Sequence, residues 1–392
     1  MPRPFVVLWI STLLFYLGFQ LLLPVMPLYT TELGAREAHI GFIVGIFAFA
    51  AMVPRPLAGD LADRIGRRPL VLLGTAIFAL APLGYAMVGA IPALLLLRMF
   101  HGTGMGFGPT AATVVATDLT APERRGAAMG VYSLASAAAL ALGPYLGGAL
   151  LRRMSFTSIF LVATSIEAVA LVLAWALPET RPAAHRPAAL TAVADRRPSR
   201  AGALGRFAHR WFSPAAIYPS GLVLALYVSY GGLSALLPLF AARRQLEPPG
   251  SSSRSSPWWA SRSARPRAAV RPPGTTRRHC AGALAISSAG LVVLGLAESQ
   301  AMFLLAAALY GVGFGAGQPA LLAMTADRVP PDARGRAVGT LYTALELAIG
   351  GGAVLLGLWA ARRGYPSMFR LGAVCTGLGT ALAAYRITRP RG

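Results

Sequence analysis

Apolar residues fall in long runs, at roughly 5–29, 39–57, 70–89, 91–117, 126–151, 156–177, 215–242, 281–297, 300–326, 336–361 and 366–385. Most approach or exceed the about 20 residues that a helix needs to cross a bilayer. Strand-like alternation is absent, and in lipid only helices and closed barrels satisfy every backbone polar group. The pattern predicts an all-α polytopic membrane protein with eleven legible spans. The first run is too long for a secretory signal peptide and lacks a small-residue cleavage pattern, so it reads as a span that stays.

Arginine assigns the sides. The turns at 59–69, 121–125, 181–210 and 330–336 are basic, as is the tail Arg386–Arg391. The alternate turns, such as 89–92 and 298–300, are mostly short and weakly charged, with Arg152-Arg153 and Arg362-Arg363 as exceptions. Basic turns stay on the cytoplasmic side, which places both termini there. The Pro-, Ala- and Arg-rich stretch 181–213 reads as a cytoplasmic linker between an N-terminal half, 1–180, and a C-terminal half, 214–392.

Composition then removes whole classes of function. The 392 residues are 55% hydrophobic and 13% charged, against roughly a quarter charged in soluble domains. The formal charge of +22 would suggest nucleic acid in a soluble protein; with the arginines held between apolar runs it points to the anionic membrane surface instead. Cys280 and Cys375 are too few for a disulfide framework or a thiolate metal site. No metal-ligand spacing, phosphate loop or nucleophile triad is present, so neither a cofactor nor enzymatic activity is expected. The ladder Gly102, Gly104, Gly106, Gly108 has the look of a dinucleotide fingerprint, but no strand precedes it.

That ladder recurs 209 residues later as Gly311, Gly313, Gly315 and Gly317. At the same offset Asp118 matches Asp327, Pro122 matches Pro331, Arg125-Gly126 matches Arg334-Gly335, Gly130 matches Gly339 and Gly143 matches Gly352. Two duplicated six-helix halves follow, with a substrate site expected between them near mid-membrane. The offset also exposes a fault. The counterpart of span 39–57 falls near 248–266, where no apolar run exists and seven arginines lie between Arg254 and Arg278. Burying all seven would oppose insertion by roughly 20 kcal/mol. Segment 245–280 is therefore either an out-of-frame reading that replaces the eighth of about 12 helices, or a genuine extracellular insertion with rearranged topology. Resequencing the gene separates the two.

The motifs carry a family resemblance. Gly59-Asp-Leu-Ala-Asp63-Arg64-Ile-Gly66-Arg67-Arg68 resembles the G-x-L-A-D-R-x-G-R-R signature of the major facilitator superfamily of secondary transporters. The resemblance implies a latch between the halves in the outward-facing state: Asp63 at the start of the eleventh helix, and Arg67 paired with Asp118 at the end of the fourth. The plainer reading is a solvated basic turn that only sets topology. Arg98-Met-Phe-His101-Gly102 resembles the family's R-x-x-q-G motif, linked in proton-driven members to coupling, with His101 at the usual glutamine position; alternatively Arg98 snorkels to the outer interface. Ala139-x-x-x-Gly143-Pro144-Tyr-Leu-Gly147-Gly148 resembles the g-x-x-x-G-P-x-x-G-G motif of drug:proton exporters, and would otherwise be small-residue packing. Leu22-Leu-Pro24-Val-Met-Pro27 resembles another exporter feature, or simply ends a helix.

Two acids lie inside spans, Glu167 in the sixth and Glu346 in the eleventh. A membrane-buried carboxyl is expensive unless protonated or paired, so each is a proton-pathway expectation or a packed protonated group. Tyr16, Tyr132, Tyr227 and Tyr342 either line a cavity for an amphipathic ligand or pack. The expectation is a monomeric carrier in a bacterial plasma membrane whose partners are lipid, protons and a small molecule. Its function is proton-coupled export; an importer of metabolites or sugars and an inactive product are the alternatives.

Overall fold

The computed structural model describes residues 1–121, 124–180, 213–246, 275–326, 328–329 and 334–388. Among them all regular structure is helical: α1 Arg3–Glu32, α2 Glu37–Met52, α3 Pro54–Ile65, α4 Arg67–Tyr85, α5 Ile91–Asp118, α6 Arg125–Leu151 and α7 Phe156–Trp175 come first. A 3₁₀ turn at Pro214–Ala216 leads into α8 Ile217–Arg243, followed by α9 Thr275–Gly295, α10 Gln300–Ala326, α11 Arg334–Arg363 and α12 Tyr365–Thr388. Nine of these helices are long and apolar enough to cross a membrane. α2, at 16 residues, is shorter, and α5 is diluted by Arg98, His101 and its glycines.

Three boundaries differ from the hydropathy reading. Run 39–57 is not one helix. It divides at Val53, because Pro54 has no amide hydrogen to continue the ladder but suits the first turn of a new helix. The turn expected at 59–69 is mostly helix, since nothing between Pro56 and Ile65 breaks it; only Gly66, at φ 106°, separates α3 from α4. Pro24 and Pro27 lie inside α1 rather than ending it. The Thr30 hydroxyl donates to the Pro27 carbonyl at 2.8 Å, and the helix runs on to Glu32.

Packing repeats across the chain. α1 packs on α6 and α7, and α4 on α5 and α7; in the same way α8 packs on α11 and α12, and α9 on α10 and α12. α2 lies against α5 in its own set and against α8 and α11 in the other. The end carrying the arginine-rich turns is called the inner end here. Leu8, Leu70, Val115 and Leu177 form a core at the inner end of α1–α7, and Leu222, Leu284, Leu321 and Leu341 form a separate one in α8–α12. At the outer end one core is shared, joining Ile40 of α2 to Leu236, Phe240, Leu356 and Phe369.

α8 begins at the inner end, where Tyr218 lies beside Arg386, and finishes at the outer end with Arg243 on Glu37. α9 also begins at the inner end, where Arg277 meets the end of α12, and finishes with Gly295 against Pro366 at the outer end. The two helices thus run in the same direction. Residues 247–274, which hold most of the anomalous segment, and the linker 181–212 lie outside the described residues.

Candidate functional site

Close approach of backbones positions the centre. A side chain on Gly41 of α2 would collide with the Ala353 carbonyl of α11, and one on Gly45 would meet the Gly350 carbonyl at 2.9 Å. This contact, one helix turn repeated, lets α2 and α11 lie backbone to backbone. It brings Arg55, at the start of α3, onto Glu346 near the middle of α11. An Arg55 Nη2 donates to Glu346 Oε1, and the two side chains are 19% and 7% exposed. The guanidinium also lies over the Tyr342 ring, 5.3 Å from its centroid. Tyr16, Tyr227 and Tyr230 fall within electrostatic reach of Glu346 as well. Arg55 escaped the sequence reading because it lies inside a run taken as uniformly apolar; its position between Pro54 and Pro56 was the available signal.

A second polar cluster is closed within α1–α7. Arg98 of α5 is buried rather than reaching the outer interface, its guanidinium over Phe47 at 5.3 Å and Tyr85 at 5.8 Å. His101, one turn on, is fully buried, with Nδ1 at 2.9 Å from the Tyr85 hydroxyl and its ring against Phe78. Glu167 of α7 is fully buried too, and neither carboxyl oxygen has a hydrogen-bond partner among the described residues. Its side chain fills the space that a Cβ on Gly18 would take. Arg98, His101 and Glu167 thus share one half, apart from the pair that bridges both.

The signature residues form an inner-end cluster. The Arg67 guanidinium pairs with Asp118 at 2.9 Å and donates to the Thr180 carbonyl at 3.1 Å, while the Thr180 hydroxyl donates to Asp118 at 3.0 Å. The Arg67 and Arg68 amides at the start of α4 donate to the two oxygens of Glu179, at 3.0 and 3.2 Å. A carboxylate on the unsatisfied amides at a helix start is favourable. Gly66 must stay glycine, both for its positive φ and because a Cβ would meet Glu179. Glu179 was missed; its place just ahead of the linker gave no hint that it reaches back to α4. Arg68 donates to the Trp175 carbonyl at 2.6 Å, and Arg64 is exposed in the last turn of α3. Gly59 and Asp63 both lie in α3.

In α6, Gly143 and Gly147 let the helix touch α1: a Cβ on either would collide with Gln20 or the Leu21 carbonyl. Pro144 sits inside the helix, and Gly148 meets no described atom within 4 Å. The motif's glycines therefore split, two serving the α1–α6 contact and one facing away from it.

At the outer end Glu37, the first residue of α2, accepts from Arg243 of α8 at 2.6 Å and from the Tyr365 hydroxyl of α12 at 3.3 Å. Arg243 lies 5.2 Å over the Tyr365 ring. Burial alone would raise the Glu37 pKa, but its own backbone amide, Arg243 and Tyr365 outweigh that and hold it below the ordinary value.

With two matching helix sets and paired charges between them, the comparisons fall into place. The profile of the Major Facilitator Superfamily matches residues 8–265 and 274–392. The chain belongs to that superfamily. It is a multi-pass membrane protein, and the resemblance read from the signature residues stands. Over 146 residues it is 34% identical to an uncharacterized MFS-type transporter of Methanocaldococcus jannaschii, 37% of each chain. Over 148 residues it is 28% identical to the quinolone resistance protein NorA of Staphylococcus aureus, 38% of each chain. The match thus spans little more than a third of the curated relatives' length. Among solved structures, a POT family transporter in complex with 5-aminolevulinic acid superposes with TM-score 0.77 at 13% identity, covering 99% of this chain and 97% of that one. That likeness concerns the fold alone.

Proposed function

We propose that this transporter exports small molecules against a proton gradient by alternating access, as a monomer in a bacterial plasma membrane with both termini inside. The observation that carries the reading is the Arg55–Glu346 pair. It is a buried carboxyl near the middle of a span, on the seam between the two sets of helices, where substrate and proton must pass in turn. Gradient-driven carriers need a group whose charge state differs between the two openings, and Glu346 sits where such a change alters the contact between the halves. Glu167, Arg98 and His101 then serve as the polar interior of one half, and Arg67, Asp118 and Asp63 as the inner latch. The similarity to the quinolone resistance protein and the Gly143-Pro144 motif favour export over uptake.

Inverted vesicles loaded with the purified chain test this with a quinolone as probe. Accumulation should follow an imposed proton gradient and stop when the gradient is collapsed. Glu346→Gln, which removes the titratable group, should abolish gradient-driven accumulation while leaving insertion intact. Movement in the opposite direction, or accumulation indifferent to both the gradient and Glu346, overturns the reading.

A further inference from the structure

Four helix ends meet at the inner end of α8–α12, and three of them bring an arginine. Arg277 stands in the first turn of α9, Arg328 just beyond α10 and Arg386 in the last turn of α12; Tyr218, from the first turn of α8, lies among them. The Arg328 guanidinium is 4.5 Å and the Arg386 guanidinium 5.3 Å from the Tyr218 ring centroid. Arg277 Nη1 donates to the Arg386 carbonyl at 3.1 Å, which ties two of the arginines together. The Tyr218 hydroxyl is buried and has no hydrogen-bond partner among the described residues.

The charges in this cluster oppose one another. Arg328 is held below the ordinary arginine range first by burial and then by Arg277, with Arg386 adding to the push. The groups acting in the other direction are Tyr218 and Cys280; no carboxylate among the described residues takes part. The starts of α8 and α9 bring positive helix ends to the cluster, and the ends of α10 and α12 bring negative ones that offset them, so the net charge is set by the guanidinium groups. Like charges gathered on a half-buried surface are unfavourable unless an anion neutralises them. Arg386 is exposed and so leaves the cluster open to the surroundings, at the level where anionic headgroups of the inner leaflet lie.

We propose that Arg277, Arg328, Arg386 and the Tyr218 hydroxyl form an anion site for a phosphate group, either the phosphodiester of an anionic phospholipid or soluble phosphate. Guanidinium forks match phosphate oxygens, and the tyrosine hydroxyl supplies a further donor.

Binding to the full chain in detergent tests it, read by titration with short-chain phosphatidylglycerol, short-chain phosphatidylcholine and inorganic phosphate. Phosphatidylglycerol should bind and phosphatidylcholine should not. Each of Arg277→Gln, Arg328→Gln and Arg386→Gln should weaken phosphatidylglycerol binding about fivefold, the worth of one basic residue near an anionic surface. Arg328→Lys, which keeps the charge, should retain most of the affinity and guards against misfolding. The outer-end double variant Arg362→Gln/Arg363→Gln should bind as the parent does. Displacement by millimolar inorganic phosphate assigns the site to soluble phosphate; resistance to it assigns the site to lipid. Equal affinity in the parent and the triple Arg→Gln variant, or no binding of either phosphate source to the parent, overturns the proposal.

Discussion

The outer and inner ends of this transporter are held in opposite ways. At the outer end a single apolar core crosses between the helix sets, from Ile40 to Phe240, Leu356 and Phe369, and the Glu37–Arg243 pair crosses with it. At the inner end each set keeps its own core, and the ion pair Arg67–Asp118 stays within α1–α7. The described packing between the sets runs through α2 with α11, α2 with α8 and α1 with α8. The structure is therefore closed at its outer end, and the Arg67–Asp118 pair at the inner end lies within one half. Closure rests on van der Waals packing and the close approach of backbones, and the exposed Glu37–Arg243 pair locates the contact rather than supplying most of its energy. The signature residues Arg67 and Arg68 are engaged inside one half, with Asp118 and Glu179.

The strongest way to break this comparison is at the level between the two ends. Removing Arg55 strands Glu346 in a site where its carboxyl is 7% exposed. Breaking a buried pair from one side costs about 3–5 kcal/mol, so Arg55→Gln should lower thermal stability markedly. The double variant Arg55→Gln/Glu346→Gln should recover most of the loss. A single variant as stable as the parent would mean that the pair carries no weight at the seam. Next comes Gly41→Leu, which drives a side chain into the Ala353 carbonyl. Overpacking of about 1–3 kcal/mol should shift the outer end open by about fivefold or more. A cysteine placed at Leu239, buried in the shared outer core, should become reactive to an impermeant thiol reagent, and unchanged labelling would refute the closed outer contact.

Glu37 sharpens the comparison more gently. Its depressed carboxyl pKa means that its share of outer-end closure is complete above the ordinary value of 4.5 and is lost as the pH at that end falls through the lowered one. Its own backbone amide, Arg243 and Tyr365 set this behaviour, while His39, on the same turn of α2, has its Nδ1 on the Arg36 amide. Arg243 is 62% exposed, so solvent screens the pair and its worth is that of a surface ion pair. Glu37→Gln should raise Leu239→Cys labelling about twofold to fivefold at neutral pH and remove any further rise on acidification. A rise of the same size in the variant on acidification would assign the pH response elsewhere.

Much of this was legible in the chain because membrane helices announce themselves by length and arginine by side. The repeat was visible in Gly102–Gly108 and Gly311–Gly317 and returns in the packing: α4 on α5 is matched by α9 on α10. The repeat is also where the halves part. Gly102 and Gly106 abut the Phe47 and Ala51 carbonyls of α2, whereas Gly311 and Gly315 meet no described atom within 4 Å. Their partner by the offset falls in 247–274, the stretch without an apolar run. What the sequence concealed were partners rather than elements. Hydropathy averages hid Arg55 inside a span, and no local pattern reveals that Glu37 meets Arg243 across 206 positions or that Glu179 returns to cap α4. The helical course of 54–65 was hidden for a different reason: charge was read as a turn, although only Gly66 breaks the backbone.

The smallest effect is expected at Asp118. Asparagine there removes the carboxylate facing Arg67 but leaves the Arg67 bond to the Thr180 carbonyl, and the Asp118 side chain is 25% exposed. Loss of a partly exposed ion pair is worth about 1 kcal/mol or less. Because the pair lies within one half, that loss should appear as a slight fall in thermal stability, with Leu239→Cys labelling unchanged within about twofold. Asp118→Asn thus separates the two ends directly. If it exposes the outer cysteine more than Glu37→Gln does, the inner cluster bears on outer closure through α4 and α5, and the ends are one cooperative unit. If labelling stays put while stability dips, the inner pair belongs to its half in this conformation and does not bear on the outer contact.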